Sequence, residues 1–474
     1  MKPFFRHTVI SLCLVATLVS CKSDSDNGTG SGSQQSSYEF WLSKPDKSAM
    51  FQKQAVSQTI NAGNPTVIEV NEQETYQTID GFGCALTGGS AKLLSLMSAG
   101  ARQALLKELF ATDGANIGIS YLRISIGASD LDDHVFSYDD LPSGSTDTAM
   151  AHFSLDPDRT MLIPVLKEIL AINPTIKILG SPWSAPVWMK TNKNSVGGSL
   201  LPQYYAAYAK YFVKYIQEMK KEGIRIDAIT VQNEPLHGGN NPSMVMQASE
   251  QASFIKNNLG PAFAANAIDT KIIIYDHNAD RTDYPITVMN DPGAKKYIDG
   301  SAFHLYGGSI NDLAKVQAAH PDRNLYFTEQ WIGGPGNFSN DLGWHIKNLF
   351  IGGTMNGCKT VLEWNLASDP GYSIHTDGGC TECLGAVTLA GDAVIRNSAY
   401  YILAHAAKFI RPNAVRIGST MPGTLLNVVF KNADGRKAAL VLNDGSATQV
   451  FKIKDGAKEI VTALSAGAVG TYVW

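Results

Sequence analysis

The sequence predicts an α/β protein, a (β/α)8 or TIM barrel with an antiparallel β-sheet or sandwich beside it. Three observations predict this. Apolar, β-branched runs of strand length alternate eight times with helix-period segments between Ile79 and Phe409. From Ala414 onward the helical segments stop, and short strands are separated by Asn-Asp-Gly-type turns. Two of the eight runs end in a glutamate, at the end of the barrel where such folds carry their chemistry. The alternative, an open doubly wound sheet, would need a Gly-rich phosphate loop after its first strand, and none is there.

Taken in order, residues 1–20 read as a lipoprotein signal peptide. Met1-Lys2-Pro3-Phe4-Phe5-Arg6-His7 is basic, Thr8–Val19 is apolar but too short to span a bilayer, and Leu18-Val19-Ser20-Cys21 looks like the lipobox of bacterial lipoproteins. Cys21 is then the expected lipidation site. Residues 21–42 are the lipidated cysteine and a flexible tether, because Lys22–Ser37 is too rich in Ser, Gly, Asp and Asn to pack. Ser23-Asp24-Ser25-Asp26 resembles the signal that exports some lipoproteins to the outer face of the outer membrane. The expected location is therefore the cell surface, with the lipid as the only membrane contact and the protein taken as a monomer.

Residues 43–75 form a lead-in, polar and partly helical over Ser43–Gln58, followed by an alternating strand at Thr66–Val70 that is expected to join the C-terminal sheet. The barrel occupies 76–410. Its strands are expected near Ile79–Ala85, Ile119–Ile126, Ile176–Gly180, Ala228–Gln232, Ile272–Tyr275, Ala302–Leu305, Leu325–Thr328 and Thr360–Trp364. Its helices are expected at Ala101–Phe110, Arg159–Ile172, Gln203–Lys221, Gln251–Ala265, Gly293–Tyr297, Leu313–Ala319, Leu342–Ile351 and Arg396–Phe409. Residues 411–474 form the sandwich, with strands at Leu425–Phe430, Lys437–Leu442, Gln449–Ile453 and Tyr472–Trp474.

Composition narrows the function. A chain of 474 residues, 44% hydrophobic, has a core large enough for one big domain with an accessory. A net charge of −4 with no Lys/Arg-rich run gives no footprint for nucleic acid. Gly-x-Ser-x-Gly, His-Glu-x-x-His and P-loop motifs are all missing, which removes support for serine hydrolase, zinc protease and nucleotidase readings. Of six cysteines, Cys13 leaves with the signal and Cys21 would carry lipid. Cys84, Cys358, Cys380 and Cys383 remain; Cys380-Thr381-Glu382-Cys383 is close enough to close a small ring. No further ligands stand at metal-site spacing, so neither a metal nor a cofactor is expected.

The chemistry concentrates at strand ends. Val231-Gln232-Asn233-Glu234-Pro235 ends a buried strand with a carboxylate preceded by an amide, and proline closes it by lacking a donor for the ladder. About 95 residues later Tyr326-Phe327-Thr328-Glu329-Gln330-Trp331 repeats the pattern. Two such glutamates suggest glycosidase chemistry. Arg123 lies inside an apolar run and needs a carboxylate partner. Asp130 follows it in the loop, His304 and Tyr306 end the sixth strand, and Trp183, Trp188, Trp331 and Trp364 gather at the same end, where aromatic faces can stack on sugars. His304 reads as a hydrogen-bonding orienter rather than a metal ligand.

The motifs Asp80-Gly81-Phe82-Gly83, Arg123 to Asp130, Ser181-Pro182-Trp183, Val231 to Pro235, His304-Leu305-Tyr306, Thr328-Glu329 and Trp364-Asn365 resemble those of glycoside hydrolase family 30, which includes glucocerebrosidase. The resemblance runs in order from about Tyr76 to the end of the chain. It implies a sandwich built from both ends of the chain, Glu234 as acid/base and Glu329 as nucleophile of a retaining mechanism, and Asp130, Trp183 and Trp364 lining the sugar pocket. Retention needs the carboxyls about 5–5.5 Å apart, one able to donate a proton and one ionised. Arg123 and Tyr306 are expected to keep Glu329 charged, Asn233 to meet the sugar 2-hydroxyl, and Glu234 to have a raised pKa. An asparagine that glucocerebrosidase carries after its eighth strand has no match in Asp369–His375. The loops Leu236–Met244 and Tyr275–Asn278 and the Cys380/Cys383 loop resemble instead the subfamily that cleaves β-1,6-glucan. The expected activity is an endo-β-1,6-glucanase, with a glucosylceramidase or exo-β-glucosidase as the alternative enzyme. A surface glycan-binding protein without catalysis is the alternative of another class; it would not require both glutamates.

Overall fold

The computed structural model describes residues 38–55 and 65–474. The signal, Cys21 and most of the tether lie outside the described residues. Eight parallel strands close into a barrel: β1 (Gly81–Ala85), β2 (Tyr121–Ser125), β3 (Lys177–Ser181), β4 (Ala228–Thr230), β5 (Lys271–Asn278), β6 (Ile298–His304), β7 (Asn324–Glu329) and β8 (Cys358–Asn365). Each lies where an apolar run predicts it. Parallel barrel strands are covered on both faces, so they read as nearly continuous apolar stretches. The barrel interior holds Tyr121, Leu179, Ala228, Ile273, Ala302, Tyr326 and Leu362, one inward residue from each of seven strands. The eighth, β1, comes so close to its neighbour that a Cβ on Gly83 would lie 1.8 Å from the Tyr121 carbonyl oxygen.

Two strands differ from expectation at their C-terminal ends, and both differences shape the site. β4 stops at Thr230 rather than Gln232, because Val231–Glu234 bend away to other partners; the Asn233 N–H donates to the Pro182 carbonyl. β5 runs three residues past Tyr275, through two consecutive left-handed residues, Tyr275 at φ +70° and Asp276 at φ +67°, with a register shift against β6 between Tyr275 and His277.

The sandwich uses both ends of the chain. Its strand order is 458–464, 449–455, 66–78, 415–419, 425–431, 437–443, 469–473, 39–43 and 52–54. The alternating strand of the lead-in joins it over Thr66–Thr78, antiparallel to Val415–Ser419 and parallel to Gln449–Asp455. The rest of the lead-in departs from expectation. No helix lies among the described residues of 43–58, and the tether ends before Glu39. Glu39–Ser43 is a strand pairing with Val469–Val473, followed by Gln52–Gln54. The cause is apolar: Phe40 stacks on Tyr472 with ring centroids 4.6 Å apart, while Trp41 turns to the opposite face and meets Phe51 and Phe409.

Candidate active site

Two residues beyond its apolar layer, the barrel interior turns polar. Tyr121 is followed by Arg123, Leu179 by Ser181, Ala228 by Thr230, Ala302 by His304 and Tyr326 by Thr328, each on the same face of its strand. Arg123 is fully buried at the centre. Its Nη1 donates to Glu329 Oε2 at 2.5 Å, and its Nη2 donates to Asn233 Oδ1 at 2.7 Å, Asp276 Oδ2 at 2.8 Å and Ser181 Oγ at 3.1 Å. The guanidinium lies over the Trp183 ring at 4.8 Å and the Trp364 ring at 5.8 Å.

Glu329, the last residue of β7, accepts from Arg123 and, at 3.0 Å, from the Tyr306 hydroxyl. Tyr306 is 41% exposed while its hydroxyl points inward, so the residue reaches from solvent to the carboxylate. Glu234 comes from the bend after β4, with φ at +44°, a conformation that costs a non-glycine residue about 1–3 kcal/mol and is kept only where the surroundings impose it. Here they do: its N–H donates to the Asp276 carbonyl, and its Oε1 lies 3.1 Å from His304 Nδ1. Oxygens of Glu234 and Glu329 and a nitrogen of His304 all lie within 4.8 Å of one another.

His304 connects the two acidic groups behind this cluster. Its other nitrogen, Nε2, faces Asp276 Oδ1 at 3.2 Å, so both ring nitrogens meet carboxylate oxygens. Burial disfavours the imidazolium, but Glu329, Asp276 and Glu234 outweigh it and push His304 up to about 9. Set between carboxylate oxygens on both sides, the ring can donate from both nitrogens, the arrangement of a proton-handling histidine. Asp276 is held well below the usual carboxylate range against its burial, by Arg123, His304 and Thr328.

The same geometry corrects the expectation for Glu234. Burial acts to raise its carboxyl, but the hydrogen bond and charge of His304, with His277 and His237 farther off, hold it below its ordinary value. Glu329 is the one that is raised, by burial and by the charges of Glu234 and Asp276, a rise that His304 and Arg123 limit. Glu234 and His304 face each other at 3.1 Å, a contact through which a proton can pass.

The structure gathers Arg123, Asn233, Glu234, His304, Tyr306 and Glu329 into one hydrogen-bonded set. Asn233 spends its oxygen on Arg123, which leaves the amide nitrogen for a ligand. Trp183 and Trp364 pack on each other with centroids 5.5 Å apart and join Ala85, Leu131 and Cys383, with half-buried Trp331 against them. They form a wall behind Arg123. Asp130 is in the adjoining loop, where burial, then Glu329, push its carboxyl up to about 7. Trp188 does not join: its indole N–H donates to the Asp139 carbonyl and its ring packs on Tyr204. Cys380 and Cys383 form a disulfide. The loop they close holds the site from behind, since the Cys383 carbonyl accepts from Asn365, Gly333 pairs with Cys383, and the Cys380 amide faces Asp130. Cys84 and Cys358 are buried free thiols. Asp276 escapes the sequence reading, which stops β5 at Tyr275; the pull of one buried arginine for a second carboxylate is the signal that could have found it.

Comparison with known proteins agrees with this geometry. The family model described as the glycosyl hydrolase family 30 TIM-barrel domain matches residues 79–410, and that of the family 30 beta sandwich domain matches 413–472. The endo-1,6-beta-D-glucanase neg1 of Aspergillus fumigatus is 35% identical over 414 residues, covering 81% of this chain and 83% of its own. The lysosomal acid glucosylceramidase of Mus musculus is 27% identical, covering 88% and 85%. Among solved structures, the endo-beta1,6-glucanase BT3312 superposes with a TM-score of 0.87 at 35% identity, covering 92% of this chain and 99% of that one.

Proposed function

Since the chain belongs to glycosyl hydrolase family 30, we propose that it is a retaining β-glycosidase that cleaves β-1,6-glucan internally, through Glu329 as nucleophile and Glu234 as acid/base. The observation that carries the mechanism is the approach of the two glutamates to within 4.8 Å. So close an approach of one oxygen from each favours the narrow pair of a double displacement over the wider pair of an inverting enzyme. Relatives described as endo-1,6-beta-glucanases at 35% identity support the substrate.

In the first step a Glu329 oxygen attacks the anomeric carbon while Glu234 passes a proton to the departing glycosidic oxygen. The bond to the aglycone breaks and a glycosyl ester forms on Glu329. His304, 3.1 Å from Glu234, is placed to exchange a proton with it and so to restore the acid. In the second step Glu234 takes a proton from water, the hydroxide oxygen bonds to the anomeric carbon, and the Glu329 carboxylate leaves. Arg123 and Tyr306 orient Glu329 for both steps, and Asn233, Asp130, Trp183, Trp331 and Trp364 would hold the sugar.

Incubation with linear β-1,6-glucan, with products resolved by size over time, tests the reading. An early ladder of oligosaccharides is expected, and Glu329→Gln should abolish it. Glucose alone from the first minutes would make the enzyme exo-acting. Cleavage of glucosylceramide with the glucan left intact would overturn the substrate. Export and lipid attachment at Cys21 belong to the same proposal, on the sequence of residues 1–21. The intact mass of the membrane-bound protein is expected to show loss of residues 1–20 and addition of lipid.

A further inference from the structure

The N-terminal end of the barrel carries a cleft of about 660 Å3 where the sandwich meets the barrel, lined on one side by Tyr76, Gln77 and Arg416 and on the other by Gln317, Arg323 and Asn356. It is remote from the glutamates. Asn324, which also lines it, and Glu329 are the first and last residues of β7. Two features set it apart from an ordinary groove between layers.

The first is Tyr76. Its ring is 48% exposed, and the Arg416 guanidinium carbon lies 3.4 Å from its centroid. The cation covers one face of the ring, and both residues border the cleft. The second is the unspent hydrogen-bonding capacity around it. Arg416 is buried to 6% exposure without a carboxylate partner: Nε donates to Gln77 Oε1 at 3.1 Å and Nη1 approaches Met355 Sδ at 3.5 Å. Gln317 and Asn356 use their amide nitrogens on Pro321, Gly352 and Asn311, which leaves their side-chain oxygens unpaired. Gln77 is fixed by donating to the Thr354 carbonyl at 2.6 Å and the Cys358 carbonyl at 3.1 Å, so the platform is rigid.

A half-exposed tyrosine ring beside amide oxygens without partners suits a pyranose ring, which has a face of C–H bonds and a rim of hydroxyls that can donate to such oxygens. We propose that this cleft is a second carbohydrate-binding site that holds a distant stretch of the glucan chain while the barrel mouth cuts. The inference rests on the substrate reading above. Its consequence follows from tethering: a polymer held at two places on one enzyme raises the effective concentration of its own cleavable bonds, whereas a short oligosaccharide gains nothing.

The test uses Tyr76→Ala and, independently, Gln317→Ala. In the catalytically silent Glu329→Gln background, retardation in gels containing β-1,6-glucan should weaken about five- to tenfold with each change. In the otherwise unmodified enzyme, kcat/KM on long glucan should fall about three- to tenfold, while kcat/KM on a β-1,6-linked tetrasaccharide stays within about twofold. Unchanged retardation in both variants would overturn the second site and leave the catalytic reading intact. Retardation by a sulfated polysaccharide through Tyr76 and Arg416, without any by neutral glucan, would also overturn it and make the cleft an anion site. Failure of the unmodified enzyme to hydrolyse the tetrasaccharide and the polymer alike would instead sink the substrate reading.

Discussion

At the scale of single residues, the site is a problem of charge. Asp276 accepts from five side chains, those of Arg123, Ser181, Thr230, His304 and Thr328, and its carboxylate is what lets a buried guanidinium and a buried imidazolium stand side by side. Asp276→Asn should leave both cations short of a counter-charge, costing about 3–5 kcal/mol of stability. It should also cut kcat far more than KM, since the orientation of His304 and the aim of Arg123 fail together. Thermal unfolding and steady-state kinetics of that variant check this; a variant as stable and active as the parent would refute the role. His304 gives a pH dependence with a definite sign. Its folded value of about 9 lies above the ordinary 6.5 of histidine, so the stability it contributes is fully present below about pH 6.5 and is lost as pH rises through about 9. The loss is on the order of 3 kcal/mol. The unfolding midpoint, measured from pH 6 to 10, should fall across that window, and His304→Gln should flatten the fall. Arg123, Glu234 and Glu329 were legible in the sequence because a charge inside or at the end of an apolar run is costly without a reason. Asp276 was not, because the left-handed pair at Tyr275 and Asp276 breaks the two-residue period on which the sequence reading depends.

At the scale of elements, the chemistry is set by how strands end. β4 and β5 finish irregularly, and those irregular ends bring Glu234 and Asp276 into one network with Arg123. The disulfide loop is a second device of this kind. Closing a ring between residues three apart constrains the unfolded chain only slightly, so the bond contributes about 2 kcal/mol or less to global stability. What it fixes is local, the backbone that faces Asp130, Asn365 and the Trp331 strand end. The double variant Cys380→Ser/Cys383→Ser should therefore fold and melt within a few degrees of the parent, yet show a KM for glucan raised about three- to tenfold. A melting point depressed by much more, with KM unchanged, would contradict this division. The strands missed from sequence lie outside the barrel. Lys458–Leu464 exposes Lys458 and Glu459 at its start, and Val415–Ser419 is a five-residue strand that ends in Gly418-Ser419, so neither shows the long apolar run that made the barrel strands readable.

At the scale of the whole molecule, sandwich and barrel share a core. Trp41, Phe51, Val428, Phe430, Leu440, Leu442, Val469 and Val473 of the sandwich belong to the same apolar cluster as the barrel helices and strands, with Phe430 edge-on to Phe82 of β1. His405 joins them through polar contacts, its nitrogens meeting Thr471 Oγ1 at 2.9 Å and Ser43 Oγ at 2.8 Å, so the last barrel helix is tied to both terminal strands at once. Burial alone pushes His405 down to about 3, which keeps it neutral in the fold. A chain ending at Ile410 would lose Val428, Phe430, Leu440, Leu442, Val469 and Val473 from this cluster, uncovering the apolar side chains they pack on, the Phe430 side of Phe82 and the Thr471 side of His405. At about 1.5–3 kcal/mol for each large apolar side chain returned to water, five or six such losses match or exceed the 5–15 kcal/mol that holds a typical domain together. The expected outcome is that the truncated barrel fails to fold, and that the full chain unfolds in a single calorimetric transition. A soluble, active fragment ending at Ile410, or two separated transitions in the full chain, would mean that the sandwich is an appendage. On the contacts seen, it is instead the layer that closes the barrel's outer surface and, through Tyr76 and Arg416, builds the second cleft.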